Sequence, residues 1–252
     1  MVELKKIKGL KFGGTKMLLL TLNMNMFNFV IDDSFNDYID SISPDIAFIQ
    51  ECRYNRIDEQ YHAKWAGNYK EPIDSRFHLS VAISKDENIS KSNIDLNADY
   101  TCIFVEYEKY KFAGVHLPLI DKKRENESKR EKILSKIKES DSKIICGDFN
   151  ACLNNENQEY LKELLNDNGY IDLWQEGINQ GKAYYLDFSG RKIKADSKKY
   201  KIRTFVGNRH IDYILAKKKF LNLKEIIIDF RTLTFTDHCG IVLDFDINQK
   251  DK

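Results

Sequence analysis

The sequence has few of the residues that mark linkers. It contains 3 prolines and 12 glycines in 252 residues, and no internal repeat is visible. A chain of this length is long enough to bury one sizeable core. Because little room remains for an extended flexible linker, we expect a single domain over residues 1–252, with a core from about 16 to 246.

An excess of charge of one sign is also lacking. The 40 Lys and Arg residues balance 39 Asp and Glu residues, and the formal net charge is +1. Overall charge therefore gives no argument for nucleic-acid binding, and only local basic segments can supply one. The most basic segment is residues 181–203, which we expect to form a hairpin or a loop.

Paired cysteines and long apolar runs are missing as well. The five cysteines are odd in number and form no CxxC pair, which favours reduced thiols in a cytoplasmic protein over a disulfide framework. The apolar run at residues 17–22 is too short for a signal-peptide core or a membrane span, so we expect no membrane partner. No pattern indicates a protein partner or an oligomeric state.

Glycine loops that cradle nucleotides are absent, since the chain contains neither GxGxxG nor GxxxxGK[ST]. Many predicted strands, few helices and several hairpin signals favour an α/β fold with mixed or antiparallel sheets. We expect helices over residues 32–42, 122–140 and 157–168. Residues 52–77 are expected to be irregular with at most one short helix, and residues 170–174 to form only a short segment.

Polar side chains follow several apolar runs. The run KIICGDFNA, residues 143–151, is typical of a buried strand, and Gly147 lets its backbone turn or approach another group closely. Asp148 and Asn150 lie two residues apart on a segment that we expect to be extended, so they would share a face. They either cap a neighbouring helix or hold a polar ligand.

Other predicted strands end in the same way. Residues 16–25 end in two amides, Asn23 and Asn25, which we expect to share a face. The complete set of such polar residues is Asn23, Asn25, Glu51, His116, Asp148, Asn150, Asp212, Asp237 and His238. The set offers oxygen and imidazole but no thiolate, which favours Mg²⁺, Mn²⁺ or Ca²⁺ over zinc. A hard cation beside histidines and carboxylates suits hydrolysis of a phosphate ester.

In chain order, the motifs LNMN, PDIAFIQE, GVHL, ICGDFN, HIDYIL and TDH resemble the endonuclease/exonuclease/phosphatase superfamily, with exonuclease III and pancreatic deoxyribonuclease among its members. The match spans about residues 16–246. The resemblance implies a four-layer α/β sandwich, in which two mixed or antiparallel sheets pack face to face with helices outside. It also implies hydrolysis of phosphate esters with Mg²⁺ or Mn²⁺ as cofactor, and it favours DNA or RNA as substrate.

The resemblance further implies a metal site and a water-activating group. Glu51 matches the family's metal-binding glutamate, while Asn25 and Asp237 match positions near the metal. Asp148 matches the aspartate that activates or positions the attacking water. Asn23 matches the amide that orients this aspartate.

Four more residues match positions at the scissile phosphate. Asn150 matches an amide that holds the phosphate. His238 matches a histidine that contacts the phosphate and pairs with an aspartate, here Asp212. His116 stands where the deoxyribonuclease, deadenylase and sphingomyelinase branches have His and the apurinic branch has Tyr, and it is a candidate general acid for the leaving oxygen.

The substrate is less clearly indicated. A nucleic-acid backbone would be contacted by residues of the basic segment and by one nearby histidine, namely Lys198, Lys199, Lys201, Arg203 and His210, with Phe188 among the neighbouring aromatics for base stacking. His210 is either such a contact or a plain strand histidine. The alternatives are a phosphatase or phosphodiesterase acting on a lipid headgroup or a small molecule, and a non-catalytic binding module. The first lacks the apolar hairpin or membrane segment usual in lipid-cleaving relatives, and the second would be expected to lose Glu51, Asp148 or His238.

Overall fold

The structure is a computed structural model that describes residues 15–27, 33–53, 56–57, 59–66, 79–91, 101–119, 124–151, 159–166, 168–196, 203–207 and 209–248. Its α-helices are α1 (Ser34–Ile42), α2 (Arg124–Ser140), α3 (Glu159–Asn166) and α4 (Leu173–Gln180). Its strands are β1 (Lys16–Asn23), β2 (Ile46–Cys52), β3 (His62–Trp65), β4 (Leu79–Ser84), β5 (Ile89–Lys91), β6 (Cys102–Tyr107), β7 (Tyr110–His116), β8 (Ile144–Asp148), β9 (Tyr170–Asp172), β10 (Ala183–Leu186), β11 (Lys192–Lys194), β12 (Asp212–Lys217), β13 (Leu221–Asp229) and β14 (Gly240–Ile247).

The strands form two sheets. The eight-stranded sheet has the order β11-β10-β13-β14-β1-β2-β4-β3, and the six-stranded sheet has the order β5-β6-β7-β8-β12-β9. Most neighbours are antiparallel, but β1 and β2, β10 and β13, and β7 and β8 run parallel. Both sheets are therefore mixed.

Three apolar clusters define the layers. The largest lies between the sheets and contains residues such as Leu19 and Phe48 from one sheet and Phe112 from the other. A second cluster packs α2 and α3 on the outer face of the six-stranded sheet, and a third packs α1 on the outer face of the eight-stranded sheet. In β1, Leu19 faces the inner cluster and Leu20 the outer one, because successive side chains of a strand alternate between faces. The predicted four-layer α/β sandwich is confirmed.

Two local predictions are wrong. Within the segment expected to be irregular, His62–Trp65 forms an edge strand that pairs with β4. The segment expected to be only short continues into helix α4, whose first turn is capped by the Asp172 carboxylate through the N–H groups of Trp174 and Gln175. The mid-helix Gly177 has a packing reason, since a Cβ there would lie 2.6 Å from Ile226.

Within the described ranges, no helix is both long and apolar enough to cross a membrane.

Candidate active site

Strand register gathers the polar residues at one edge of the six-stranded sheet. His116 at the end of β7 lies opposite Asp148 at the end of the parallel strand β8. Strand β12 runs antiparallel to β8, so its first residue, Asp212, also lies opposite Asp148. One carboxylate is therefore flanked by a histidine and a second carboxylate.

The eight-stranded sheet contributes to the same edge. Asn23 ends β1 and is fully buried. Its amide nitrogen donates to Glu51 Oε1 over 3.1 Å and to Asp148 Oδ2 over 3.0 Å. Because Glu51 and Asp148 belong to different sheets, this amide joins the two sheets at the site. The structure thus brings Asn23 into contact with the aspartate that it was predicted to orient.

Left-handed backbone turns the side chains at the strand ends. Glu51 has φ of 50° and lies where the pairing of β2 with β4 shifts register, and such a bulge re-aims the side chain it carries. Asn25 and Asn150 have φ of 44° and 49°. The predictions that Asn25 shares a face with Asn23, and Asn150 with Asp148, on extended strands are therefore wrong.

Asn150 is nevertheless fixed beside Asp148. Its backbone N–H donates to Asp148 Oδ1 over 2.7 Å, and its side-chain nitrogen donates to the carbonyl oxygen of Leu117 over 2.9 Å. That nitrogen carries a second N–H, as every amide side chain does. The amide is thus held at the mouth of the site, next to the Asp148 carboxylate.

His238 is paired with Asp212, as expected. Its Nδ1 lies 3.1 Å from both carboxylate oxygens of Asp212, while its Nε2 lies 4.0 Å from Asp148 Oδ2 and 3.8 Å from Asp237 Oδ1. Burial alone would lower the pKa of His238, but Asp212, Asp148 and Asp237 outweigh it and raise the pKa to about 9. The imidazole is therefore held protonated at neutral pH.

The pKa of Asp148 is also raised, but in this carboxyl group the shift favours the neutral form. Burial, followed by the charge of Asp212, raises the pKa of Asp148 to about 8, although His238 and the hydrogen bonds from Asn150 and Asn23 favour the ionised form. In its ionised form, a carboxylate whose pKa is raised by burial is a stronger base than an exposed one, which suits the role of general base.

The proton on His238 makes stability depend on pH. An imidazole with a pKa of about 9 in the folded state and 6.5 when exposed contributes stability that is fully present below pH 6.5 and is lost as pH rises through 9. The raised pKa of Asp148 acts in the same direction. We expect the free energy of unfolding of the metal-free protein to fall by about 3 kcal/mol or more between pH 6.5 and 9, measured by urea denaturation in EDTA.

The matched variant for this pH dependence is Asp212→Asn, which removes the main group that holds the proton on His238. Its free energy of unfolding should change less over the same pH window. Equal pH dependence in the variant and the wild type would show that Asp212 does not set the pKa of His238.

Two groups of side chains have the spacing of metal ligands. Glu51, His116 and Asp148 form one, and Asp148, Asp212 and His238 form the other, with the ligand atoms of each group within 4.8 Å of one another. In the first group, His116 Nε2 lies 3.5 Å from Glu51 Oε1 and 4.0 Å from Asp148 Oδ2. Of the three predicted metal residues, Glu51 belongs to these groups.

Asp237 lies on the other side of His238 from Asp212. Its Oδ1 is buried and accepts no hydrogen bond. A buried carboxylate oxygen without a donor is costly unless a cation or another donor reaches it. The donor set and this oxygen fit a hard divalent cation.

The hydroxyl groups of three threonines fix the backbone of the site. Thr204 is fully buried, and its Oγ1 accepts the N–H groups of Ile211 and Asp212 over 3.1 and 3.0 Å. Thr236 Oγ1 donates to the carbonyl oxygen of Asn23 over 2.8 Å, and Thr232 Oγ1 donates to that of His238 over 2.8 Å. Thr236 belongs to the TDH motif, but the sequence does not reveal the partners of these hydroxyl groups, because they are distant in the chain or set by the turns between strands.

The predicted substrate contacts have mixed outcomes. Lys198, Lys199 and Lys201 lie outside the described residues. Arg203 places its guanidinium 5.0 Å from the centre of the Phe230 ring. His210 stacks on Tyr213 with the ring centres 4.2 Å apart, and burial lowers its pKa to about 4. His210 is therefore neutral at pH 7, and a cationic phosphate contact would have to come from another group.

The sequence matches the model of a protein family described as the endonuclease/exonuclease/phosphatase family over residues 20–238. A search of curated protein sequences returned no match.

Solved structures with a similar fold include an AP endonuclease from Archaeoglobus fulgidus, with a TM-score of 0.63 and 16% identity over 90% of this chain and 98% of that chain. The 3′ phosphatase NExo from Neisseria, bound to a product DNA hairpin, has a TM-score of 0.61 and 16% identity over 91% of this chain and 99% of its own. The catalytic domain of human Nocturnin with a bound sulfate anion has a TM-score of 0.61 and 16% identity over 92% and 95%.

Proposed function

The chain belongs to the endonuclease/exonuclease/phosphatase family, whose members act on phosphate esters, and we propose that it is a divalent-metal-dependent nuclease. The observation that carries the proposal is the convergence of Glu51, Asp148 and His238 at one edge of the sandwich, with Asn23 and Asp212 positioning them. A binding module would have no need to keep a base, an acid and a cation site together in this way.

We assign Glu51 to the cation, and Asp148 with its neighbour Asn23 to the attacking water. Glu51 would hold a divalent cation together with Asp237 or Asn25, and the bound cation would neutralise charge on the phosphate. Asp148, oriented by Asn23, would accept a proton from the attacking water. Burial and the charge of Asp212 raise the pKa of Asp148, so its carboxylate is a stronger base than an exposed one.

Three further residues would handle the phosphate itself. The His238 imidazolium, held charged by Asp212, would stabilise the negative charge that develops on the phosphoryl oxygens. The amide of Asn150 would donate to one of these oxygens. His116, beside Glu51 on the other side of Asp148, would protonate the leaving oxygen.

Nucleic acid is the substrate class that the observations favour. The Phe205 ring lies 4.9 Å from the His238 ring. The guanidinium of the exposed Arg209 lies 5.3 Å from the centre of the Phe205 ring. The Arg209 guanidinium at the mouth of the site would contact a phosphate next to the scissile one. One similar structure, NExo, is described with a bound product DNA hairpin and another as an AP endonuclease, which supports the same class.

A cleavage panel tests the proposal. The purified protein is incubated with Mg²⁺, Mn²⁺ or EDTA and with single- and double-stranded DNA, RNA, an abasic duplex and bis-p-nitrophenyl phosphate. We expect metal-dependent cleavage of nucleic acid. Cleavage of the small ester alone would retain the chemistry and exclude the nuclease, and no cleavage of any substrate would favour a binding module.

We expect Glu51→Gln to weaken Mn²⁺ binding by about 100-fold or more, since even residues outside the ligand shell change metal affinity by about 10–100-fold. Glutamine can still accept the hydrogen bond from Asn23, so the fold should persist. Isothermal titration with Mn²⁺ measures the effect.

The matched control for this prediction is Glu87→Gln, an exposed residue on the turn after β4 at the opposite edge of the sandwich. It should bind Mn²⁺ like the wild type. Equal Mn²⁺ affinity of Glu51→Gln and Glu87→Gln would remove Glu51 from the metal site.

A further inference from the structure

The hairpin formed by β10 and β11 carries an exposed aromatic side chain at its tip. Phe188 is 60% exposed, which is unusual for a ring of this size in the described part of the chain. The turn beneath it is well fixed, because Asp187 Oδ1 accepts the N–H groups of Ser189 and Arg191 and Gly190 supplies a left-handed φ of 78°. The ring is therefore held towards solvent by a built turn.

Phe188 continues a row of flat groups. Its ring centre lies 6.5 Å from that of Phe230 with 33° between the planes, and Phe230 stacks on the buried Tyr185 at 5.3 Å and 24°. The Arg203 guanidinium lies 5.0 Å from the centre of the Phe230 ring. We call Phe188, Phe230, Tyr185 and Arg203 the aromatic platform. Phe230 is stacked on Tyr185 and Phe188 is tilted against Phe230, and the row is anchored in the core at Tyr185.

The aromatic platform lies at the same end of the sheet as the active site. Leu186 at the end of β10 pairs with Asp229 at the end of β13, and Asp229 pairs with Gly240 at the start of β14, two residues after His238. Two strand spacings therefore separate the hairpin end from β14, which is about 10 Å. At roughly 3.4 Å per stacked nucleotide, this distance corresponds to about three nucleotides.

Direct contacts also link the platform to the site. Thr232, two residues after Phe230, donates its hydroxyl to the carbonyl oxygen of His238. Phe205, two residues after Arg203, places its ring 4.9 Å from that of His238. A nucleic-acid strand leaving the scissile phosphate on this side would pass over Phe205 and Arg203 before it reaches Phe188.

We propose that the aromatic platform stacks an unpaired base of a single-stranded nucleic acid within about three nucleotides of the scissile phosphate. The inference rests on the proposed function and specifies the form of its substrate. Bases inside a duplex have both faces covered by their neighbours, so only a single strand or a frayed end offers a face to Phe188.

The charges around the hairpin favour stacking over phosphate contact or membrane binding. Arg191 is paired with Asp187 and Lys192 with Glu225, so these cations are already partly neutralised. One aromatic ring over a row of rings offers a face for a base, whereas a lipid surface would call for a wider apolar patch.

The test compares Phe188→Ala, Phe188→Leu and Phe188→Tyr, all in the Asp148→Asn background to stop turnover, in Mg²⁺ buffer. Dissociation constants are measured for a single-stranded DNA octamer, the same octamer without bases, a dinucleotide, and phosphatidylserine–phosphatidylcholine vesicles. We expect Ala and Leu to weaken octamer binding by about five- to a hundredfold and Tyr to retain it. The baseless octamer and the dinucleotide should bind all variants equally.

Other results would contradict the proposal that the aromatic platform stacks a base. Unchanged octamer binding by Phe188→Ala would exclude it, and an equal loss for the baseless octamer would indicate a backbone contact instead. A loss for vesicles alone would make Phe188 a membrane contact. Because these measurements need no cleavage, they remain decisive if the wild-type protein hydrolyses only the small ester, which is the outcome that refutes the nuclease.

Discussion

Asp148→Asn is expected to lower turnover by about 10²–10⁴-fold, the range that a positioned general base contributes. Asparagine has the shape of aspartate but cannot accept the proton of the attacking water at neutral pH. Its effect should appear in kcat, because Glu51 and His238 remain in place to bind the cation and the phosphate. Steady-state kinetics on the preferred substrate of the cleavage panel measure the change.

The same variant should keep its fold. Asparagine loses one of the acceptors that Asn23 and Asn150 use, but it also removes a carboxylate whose ionisation is opposed by burial. These effects oppose each other, so the free energy of unfolding should change by only about 1 kcal/mol. Urea denaturation in EDTA measures this change.

Asp172→Asn is the matched control, since burial also raises the pKa of Asp172, to about 6, at the N-terminus of α4. Asparagine is an equally good cap there, so turnover should match the wild type. Near-normal turnover in Asp148→Asn would remove Asp148 from the role of base.

Gly147→Ala is expected to destabilise the protein by about 3–5 kcal/mol, a large part of the stability of a typical domain. Gly147 has φ of 134°, and a Cβ there would lie 2.0 Å from the carbonyl oxygen of Val115 on the neighbouring strand. The obstacle is backbone within a sheet, so it cannot move aside as a flexible side chain would. Relief would require β8 to shift, and with it Asp148.

Gly169→Ala separates the cost of a positive φ from the cost of the steric clash with Val115. Gly169 also has a positive φ, 68°, but a Cβ there would meet nothing within 4 Å. This control should lose only the conformational part, about 1–2 kcal/mol. Urea midpoints compare the two variants, and equal midpoints would show that the close approach to Val115 does not constrain β8.

The strands that carry the site were predictable because each is an apolar run that ends in polar residues. The buried run before Gly147 could only be a strand or a helix segment, and its length favoured a strand. The prediction that Gly147 permits a turn or a close approach is confirmed by its φ and its contact with Val115. Helix α4 was missed although its cap, Asp172, stood in the sequence, since the apolar pattern over eight residues was too short to recognise.

Local reasoning failed where the chain leaves regular structure. Asn25, Glu51 and Asn150 adopt left-handed backbone. Asn adopts this conformation more readily than most residues, but nothing in the identity of Glu51 predicts it. A two-residue spacing predicts a shared face only while a strand continues. These residues lie at the site because the strands end there. The alternation of side chains along a strand therefore no longer holds at these positions.

The sequence alone determined the chemistry available to this protein: the order of amides, carboxylates and histidines after apolar runs, and the absence of thiolate ligands. The tertiary structure decided which of these groups meet. Asn23 contacts Asp148 across 125 residues, and His238, just before β14 of one sheet, contacts Asp212 at the start of β12 in the other. The raised pKa values of Asp148 and His238, the buried oxygen of Asp237 and the row of rings under Phe188 follow from burial and distance. Such properties are set by packing between segments remote in the chain, and no local pattern encodes them.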